Sequence, residues 1–400
     1  MNSTPRANRI HIALFGKTNV GKSSIINALT NQDLALVSDI KGTTTDPVFK
    51  SMEILPLGPV VLVDTAGLDD TSELGQLRIK KSLEVLNKTD IVVLVVDASE
   101  GITKIEEDFI EQLKSKNCPF IVLFNKADLL KDKSLQCEYP YLLVSVKDKL
   151  NIQEVLTQLG QMKPSAESKF KLVGDLVNAG DIVVLVTPID KAAPKGRLIL
   201  PQQQVIRDLL ESDVLTMIVK EHELKEALES LNRKPKLVIT DSQVFLKAAA
   251  DTPKDILLTS FSILFARFKG DLEPYIKGAK ALDQLKNGDK ILVLEGCTHH
   301  KSCDDIGTVK LPRWIRQYCG KDIQFDFYSG QGFPEDVSPY SLILMCGSCM
   351  LTRTDVEHRL SQVAQANIPI INYGMAIAHV QGILYRALEC FPSIQQMLDD

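Results

Sequence analysis

The feature that most constrains this 400-residue chain is a glycine-containing segment near its start. Residues 16–23 read GKTNVGKS and follow the apolar run Ile10–Phe15. The segment fits the pattern G-x-x-x-x-G-K-S in the strand–loop–helix setting that the pattern requires. Its glycines let backbone N–H groups curl around phosphate oxygens, and the helix that follows presents its positive end to them. The chain is therefore predicted to begin with a P-loop nucleotide-binding domain.

Two side chains of this loop have specific expected roles. Lys22 is expected to neutralise phosphate charge, and the Ser23 hydroxyl is expected to bind Mg²⁺. The residues expected to surround the nucleotide are Gly16, Asn19, Val20, Gly21, Lys22, Ser23 and Ser24. The alternative is a glycine-rich turn that merely opens a helix, and the motifs that follow argue against it.

Further motifs come in the order that binding of guanine nucleotides requires. The segment DTAG follows an apolar run, so Asp64 would lie near Mg²⁺ and the Gly67 N–H near the γ-phosphate. The segment NKAD supplies Asn125, Lys126 and Asp128 after another apolar run. A carboxylate at Asp128 accepts from both N1–H and the exocyclic amine of guanine, and adenine offers no such pair of donors. GTP is therefore the expected nucleotide.

Two weaker segments complete the predicted site. Ser145, Val146 and Lys147 end a further strand and fit the loop that backs the base. The segment GTTTD at 42–46 is the expected first switch, in which Thr44 would close over Mg²⁺ when the γ-phosphate is present.

Over residues 8–162 these blocks resemble the translation-factor-related GTPases of the Era and TrmE type. In that group the residue after Asp-x-x-Gly is often apolar, and here it is Leu68, which cannot orient an attacking water as a glutamine does. Slow intrinsic hydrolysis is the expected consequence. The resemblance also implies that the Asn19 carboxamide helps to hold K⁺ beside the phosphates; the alternative is that Asn19 only shapes the loop.

The remainder of the chain alternates short apolar runs with amphipathic stretches, which is typical of α/β folds. A polar, proline-containing segment at 163–169 predicts a linker. Three domains are predicted: a P-loop GTPase domain with a mostly parallel sheet and helices on both sides at 1–165, and two further α/β domains at 172–265 and 270–400. The pattern breaks between 268 and 288. Strands are predicted at Ile182–Val186, Leu215–Val219, Lys290–Glu295 and Leu342–Met345.

Composition argues against several classes of protein. No apolar run approaches the roughly 18 residues that cross a bilayer, and residues 1–10 lack the apolar core of a signal peptide. A cytoplasmic location without a membrane partner is expected. The net charge of −5 gives no basic footprint, so nucleic acid is an unlikely partner.

The cysteines concentrate towards the C-terminal end, where six of the eight lie between residues 297 and 390. Cys297 begins a C-x-H motif after one apolar run, and Cys346 and Cys349 form a C-x-x-C motif after another. If the two strand ends lie side by side, three thiolates meet at one edge of a sheet. Three sulfurs suit a 4Fe-4S cluster with one iron open. Zinc is the rival, because Cys₃His is a common zinc-binding set.

A P-loop GTPase followed by C-x-H and a distant C-x-x-C resembles the FeFe-hydrogenase maturation GTPases along the whole chain. The resemblance implies a middle dimerisation domain, a homodimer, and a 4Fe-4S cluster held by Cys297, Cys346 and Cys349. It further implies a scaffold that carries a di-iron precursor on that cluster to apo FeFe-hydrogenase. Radical-SAM maturation enzymes are the other implied partners.

One position departs from that family. Its members often have histidine directly before C-x-x-C, whereas this chain has Met345, whose thioether is a poor ligand for cluster iron. The fourth ligand is then expected among His299, His300, Asp304, Asp305, water and the incoming precursor. Asp304 is favoured because it lies in the loop that the C-x-H motif opens, and its alternative role is that of a solvated or helix-capping carboxylate.

Two rival hypotheses remain open from the sequence. An RNA-associated GTPase of the Era or TrmE class with a zinc-bound C-terminal module would be colourless and would bind RNA with a steep salt dependence. A thiol redox switch would hold no metal after anaerobic purification. The leading hypothesis instead predicts a brown, oxygen-sensitive protein.

Overall fold

The computed structural model describes residues 6–30, 47–69, 81–130, 137–164, 170–189, 198–296, 305–330, 333–334 and 336–399. The chain forms two compact units, Met1–Glu167 and Ser168–Asp400. The first unit has the predicted P-loop GTPase fold, and the second contains two four-stranded sheets. Within the ranges given above, the structure has no helix long and apolar enough to cross a bilayer.

The first unit is built on a six-stranded sheet of order β2-β3-β1-β4-β5-β6, in which β2 is antiparallel to β3 and the other pairings are parallel. Its elements are β1 Ile10–Phe15, α1 Lys22–Thr30, β2 Val48–Ile54, β3 Gly58–Asp64, α2 81–86, β4 Ile91–Asp97, α3 Lys104–Ser115, β5 Phe120–Asn125, β6 Tyr141–Leu143 and α4 Ile152–Gln161. Alternate residues of β1 enter hydrophobic clusters on the two faces, as Ile12 and Ala13 do. Burial on both faces explains the continuous apolar runs that the sequence shows.

The second unit begins with a parallel sheet of order β10-β9-β7-β8. Its elements are β7 Ile182–Val186, α5 Leu200–Glu211, β8 Leu215–Val219, α6 Leu224–Ser230, β9 Leu237–Thr240, α7 Phe245–Asp251, β10 Leu257–Ser260 and α8 Phe261–Lys269. β8 forms one edge of this sheet, and Leu215 and Ile218 on it are exposed.

The last sheet is also parallel and has the order β12-β11-β13-β14. Its elements are α9 Glu273–Asp283, β11 Lys290–Glu295, α10 Leu311–Cys319, β12 Gln324–Ser329, β13 Leu342–Met345, α11 Arg353–Gln365, β14 Ile370–Asn372, α12 Tyr373–Val380, α13 Leu384–Ala387 and α14 Pro392–Gln396. In both sheets of this unit the first strand in sequence has the second strand on one side and the third strand on the other. The strand order therefore reverses between the first and third strands. Such a reversal opens a crevice at the carboxyl ends of the strands, where α/β folds bind ligands.

The two sheets of the second unit share one hydrophobic core. The helix α9 approaches β14 so closely that a Cβ on Gly278 would lie 2.0 Å from the Ile370 carbonyl oxygen. The break predicted between 268 and 288 was wrong in part, because α9 and the end of α8 occupy this stretch. Gly270 follows the last residue of α8, and Pro274 lies in the first turn of α9, so the helical period in the sequence is interrupted between them. The three-domain division stays a prediction.

An ion pair between the buried Arg267 and the more exposed Asp175 links the start of the second unit to α8. Arg267 is 8% exposed, and its guanidinium donates to both carboxylate oxygens of Asp175, with Nη1 to Oδ1 at 3.0 Å. The guanidinium also stacks on the ring of Phe170, 4.1 Å from its centroid. The arginine therefore joins the first residues of the unit to its core.

Arg267→Ala is expected to lower the free energy of unfolding of the second unit by about 2 kcal/mol, because it removes the buried side chain with its charged hydrogen bonds to Asp175 and its packing on Phe170. Urea unfolding followed by circular dichroism measures the loss. The control is Arg207→Ala, which removes the exposed ion pair of Arg207 with Glu211 and should cost about 0.5 kcal/mol or less. Equal losses in the two variants would contradict the assigned role of Arg267.

Candidate functional site

The phosphate loop connects β1 to α1 in the first unit. Lys22 folds back over it, and its Nζ donates to the carbonyl oxygens of Gly16 at 2.9 Å and Lys17 at 2.7 Å. Burial lowers the pKa of Lys22 to about 8, and the carboxylates of Asp64 and Asp69 oppose the shift. A Cβ on Gly16 would lie 2.1 Å from the Val95 carbonyl oxygen, so glycine is required there. The lysine is thus held in place for a phosphate group.

The other predicted loop residues surround this lysine. Gly21 has φ +96°, and a Cβ on it would lie 2.2 Å from Asn125 Nδ2, so this position also needs glycine. Val20 is buried, and Ser24 lies in the first turn of α1. Asn19 is exposed and has φ 62°, a left-handed conformation that asparagine tolerates.

The expected Mg²⁺ ligands meet at the start of α1. The Ser23 hydroxyl donates to Asp64 Oδ2, and Asp64 Oδ1 is buried without a hydrogen-bond partner. Burial raises the pKa of Asp64, and the hydrogen bond from Ser23 and the charge of Lys22 oppose the shift. A buried carboxylate oxygen without a donor beside a serine hydroxyl fits Mg²⁺. Thr44, the other expected ligand, lies outside the described residues.

The base-recognition motifs lie at the ends of β5 and β6. Asn125 Nδ2 donates to the Val20 carbonyl oxygen at 2.8 Å, which ties this motif to the phosphate loop. Lys126 has φ 64°, and its Nζ pairs with Asp97 at 2.7 Å. These contacts hold the NKAD motif in position beside the phosphate loop.

The Asp128 carboxylate is held by the loop predicted to back the base. The Ser145 hydroxyl donates to Asp128 Oδ1 at 2.8 Å, and Lys147 Nζ lies 3.8 Å from Oδ2. Val146 packs against the hydrophobic cluster of this unit. The structure therefore brings Asp128, Ser145 and Lys147 together.

One residue of this site was missed by the sequence motifs. Asp69 Oδ1 accepts from the Thr18 N–H at 2.7 Å and from the Thr18 hydroxyl at 2.8 Å. Beside it, the Leu68 N–H donates to the Gly16 carbonyl oxygen at 3.2 Å. Gly67 lies against the same loop, since a Cβ on it would be 2.2 Å from Thr18 Oγ1. Asp69 belongs to no motif. Its position two residues after the glycine of DTAG is the one sequence signal that could have identified it.

The predicted cysteine site lies at the carboxyl edge of the last sheet. There β11 pairs with β13, with Leu294 opposite Met345. The Gly296 N–H donates to Cys346 Sγ, with the nitrogen 3.2 Å from the sulfur, and the Ser348 N–H donates to it at 3.4 Å. Gly296, which directly precedes Cys297 in sequence, thus contacts the first cysteine of the C-x-x-C motif at the point where the strand order reverses.

The remaining predicted ligands are only partly described. Cys349 is half-buried, whereas Cys297, His299, His300 and Asp304 lie outside the described residues. Across the described ranges there is no group of three or more His, Cys, Asp or Glu side chains that could hold a metal ion. Asp305 is described, and its carboxylate accepts from the Thr308 N–H at 2.8 Å.

The surroundings of Cys346 act on its thiol in both directions. Burial, with the charge of Glu295, raises the pKa of the Cys346 thiol above its usual value, while the N–H groups of Gly296 and Ser348 and the buried Arg359 guanidinium oppose the shift. Arg359 also pairs with Asp355 at 2.9 Å. Iron or zinc would replace the thiol proton, so these donors and this positive charge fit a metal thiolate.

Residues outside the predicted motifs pack against the C-x-x-C loop. A Cβ on Gly347 would lie 3.3 Å from Ser262 Oγ at the start of α8. The Ser262 hydroxyl donates to Asn372 Oδ1 at 3.1 Å, and the Gly374 N–H donates to the same oxygen at 2.8 Å. Asn372 Nδ2 is buried without a hydrogen-bond partner. An unused buried donor thus lies at this edge of the sheet, where a bound group can accept from it.

A phosphate loop with a preset lysine, a Mg²⁺ site and a guanine-recognition motif define a P-loop GTPase. A family model described as "50S ribosome-binding GTPase" matches residues 11–126. The models "Hydrogen maturase F dimerization domain" and "Hydrogen maturase F tetramerization domain" match 172–270 and 273–390, together more than half of the chain. The chain belongs to the hydrogen maturase F family of hydrogenase maturation GTPases. Its enzymatic activity is GTP hydrolysis, and the two maturase models support self-association.

Curated relatives match the first unit. The tRNA modification GTPase MnmE of Prochlorococcus marinus (strain NATL1A) is 38% identical over 135 residues, which are 34% of this chain and 29% of the relative. MnmE of Thermoanaerobacter sp. (strain X514) is 38% identical over 150 residues, 36% of this chain and 32% of the relative. The match thus spans about a third of each relative.

Two solved structures are similar to parts of the chain. The structure of Aquifex aeolicus Era has a TM-score of 0.35 and 19% identity, over 52% of this chain and 93% of Era. The G domain of the T. maritima FeoB iron transporter has a TM-score of 0.29 and 21% identity, over 38% of this chain and all of that domain.

Proposed function

We propose that this GTPase carries a 4Fe-4S cluster on Cys297, Cys346 and Cys349 and uses it as a scaffold in the assembly of FeFe-hydrogenase. The observation that supports the proposal most is the hydrogen bond from the Gly296 N–H to Cys346 Sγ, since it brings the backbone directly before Cys297 to the C-x-x-C sulfur. Two motifs whose first cysteines are 49 positions apart in sequence then serve one site. When bound, the cluster would supply one iron not held by cysteine, to which a precursor can attach.

The protein side chains have separate roles in this proposal. The three thiolates hold the cluster, and the N–H groups of Gly296 and Ser348 stabilise the charge on Cys346. Asp304 or His299 is proposed to hold the fourth position in exchange with water or with the precursor. An exchangeable oxygen or nitrogen ligand suits a carrier, because the incoming group can displace it.

GTP binding is proposed to change domain and partner contacts and not to drive chemistry at the cluster. With Mg²⁺ on Ser23, Asp64 and Thr44, the γ-phosphate would order the first switch and the Asp64–Gly67 segment. Asn19 is proposed to bind K⁺ beside the phosphates and so to accelerate hydrolysis, which Leu68 cannot assist. The partners would be apo FeFe-hydrogenase and the radical-SAM enzymes that build the precursor.

The test of the proposed role is transfer to apo-hydrogenase. The chain is loaded anaerobically with cluster and precursor, separated from free iron and mixed with apo FeFe-hydrogenase. Hydrogen evolution should appear with the wild type and not with a Cys349→Ser variant treated in the same way. Equal activation by the two proteins would contradict a role for the C-x-x-C motif in delivery.

Self-association is proposed to use the β8 edge of the first sheet in the second unit. Leu215 and Ile218 on this strand are 58% and 46% exposed, and among the described residues no further strand pairs with the outer edge of β8. An apolar edge strand pairs readily with another strand. Two copies joined at β8 would extend the sheet across the dimer.

Ile218→Lys is therefore expected to raise the dimer dissociation constant about a hundredfold, because each interface would bury two unpaired charges. Analytical ultracentrifugation over a concentration series measures the constant. Leu246→Lys serves as the control, since Leu246 is 54% exposed on α7 of the same unit and should leave the constant unchanged. A wild-type constant in both variants would exclude the β8 edge.

A further inference from the structure

The Asp69 carboxylate lies on the phosphate loop itself. Three hydrogen bonds, two from Thr18 to Asp69 and one from the Leu68 N–H to Gly16, fasten the segment that follows the DTAG glycine to the loop. Thr18 uses both its backbone and its side-chain donor on the same carboxylate oxygen. The contact is therefore specific to an acceptor at position 69.

This carboxylate is ionised and close to the phosphate-binding lysine. Desolvation acts to raise the pKa of Asp69, but the hydrogen bonds from Thr18 and the charge of Lys22 outweigh it, so the pKa is lowered. The Asp69 charge in turn acts on Lys22 and opposes the fall of the lysine pKa. The negative charge of Asp69 therefore acts on Lys22, the residue that is expected to neutralise the nucleotide phosphates.

GTP and GDP differ in the charge that they bring to this place. The P-loop lysine reaches the β- and γ-phosphates, so GTP adds negative charge on the Lys22 side of the loop that GDP does not. Gly67, whose N–H is expected to bind the γ-phosphate, is packed against Thr18 while Asp69 is bonded to it. Like charges brought together in a partly buried site repel each other by several times the thermal energy.

We propose that Asp69, anchored on Thr18, determines the preference of this GTPase between its two nucleotides by opposing GTP more strongly than GDP. The contact must open when the γ-phosphate enters. Part of the binding free energy of GTP would then be used to break the contact between Asp69 and Thr18. The segment after Gly67 would therefore have two positions, depending on the bound nucleotide.

The test compares dissociation constants for GDP and for a non-hydrolysable GTP analogue, both with Mg²⁺, on the full chain by isothermal titration. In Asp69→Asn the amide oxygen still accepts from Thr18, so the fold is retained while the charge is lost. The variant should bind the GTP analogue about tenfold more tightly and GDP within about twofold of the wild type. Thr18→Val, which removes the hydroxyl donor only, should shift the same ratio in the same direction by less.

Glu100→Gln is the matched control for charge. Glu100 pairs with Lys17 of the same loop at 3.2 Å, and its side chain is 59% exposed. Among the residues that the structure describes, it makes no hydrogen bond to Thr18, so the loss of its charge should change both affinities alike. An Asp69→Asn variant whose ratio of GTP to GDP affinity stays at the wild-type value, moves only as far as in Glu100→Gln, or falls would overturn the proposal.

Discussion

Asp128→Asn is expected to raise the dissociation constant for GTP at least about a hundredfold and to let the chain bind xanthosine triphosphate instead. The carboxylate accepts from two N–H groups of guanine, whereas an amide offers one acceptor and one donor. The new NH₂ group would face the exocyclic amine of guanine, so two donors would meet. Xanthine has a carbonyl oxygen at that position and can accept from the amide.

The structure indicates that this substitution leaves its surroundings intact. The Ser145 hydroxyl donates to Asp128 Oδ1, and an amide oxygen can accept the same hydrogen bond. Equilibrium binding of both triphosphates measures the change. Asp148→Asn is the control, because Asp148 is exposed in the same loop and carries the same charge. Loss of GTP binding without any gain for xanthosine triphosphate would mean that Asp128 supports the fold and does not read the base.

Cys346→Ser is expected to remove most of the iron and the visible absorption of the anaerobically purified protein. Serine preserves the size of the side chain and can accept from the N–H groups of Gly296 and Ser348. Its oxygen is a harder donor than sulfur and suits cluster iron poorly. Cluster loss should therefore come from the ligand and not from a disrupted fold.

Iron and acid-labile sulfide per chain, together with the visible spectrum, measure this effect. Cys319→Ser is the control: Cys319 is half-buried at the end of α10, outside both cysteine motifs. It should keep the wild-type iron content, and both variants should bind GTP normally. Retention of full iron by Cys346→Ser would remove this residue from the ligand set.

The nucleotide site was largely predictable because its chemistry is local in sequence. A phosphate loop needs glycines, a lysine and a serine at fixed spacing, and the structure has Lys22 and Ser23 in the expected positions. Asp128 was predicted for the same reason, whereas Ser145 was predicted only to lie in the loop that backs the base, and its hydrogen bond to Asp128 was not predicted. Asp69 was missed because its contact with Thr18 joins residues 51 positions apart. Thr18 occupies a variable position of the phosphate-loop pattern, and Asp69 lies outside the DTAG motif.

In the second unit, buried strands were predictable from the sequence, but the edge strand and the contacts around the cysteine motif were not. The strands Lys290–Glu295 and Leu342–Met345 were confirmed, since buried parallel strands read as apolar runs. The exposed edge strand β12 was not predicted, because its alternation is weak. The approach of Ser262 to Gly347 of the C-x-x-C loop, and the hydrogen bond from Ser262 to Asn372, arise from the packing of two sheets into one core. Such packing leaves no local signal in the sequence.

The most direct test of the account is metal analysis of the anaerobically purified chain combined with electron paramagnetic resonance after reduction. The account predicts about four iron atoms per chain, little zinc, and the signal of a reduced 4Fe-4S cluster. A stoichiometric zinc ion without iron, or a protein free of metal and without a signal, would contradict it and leave only the nucleotide-binding GTPase.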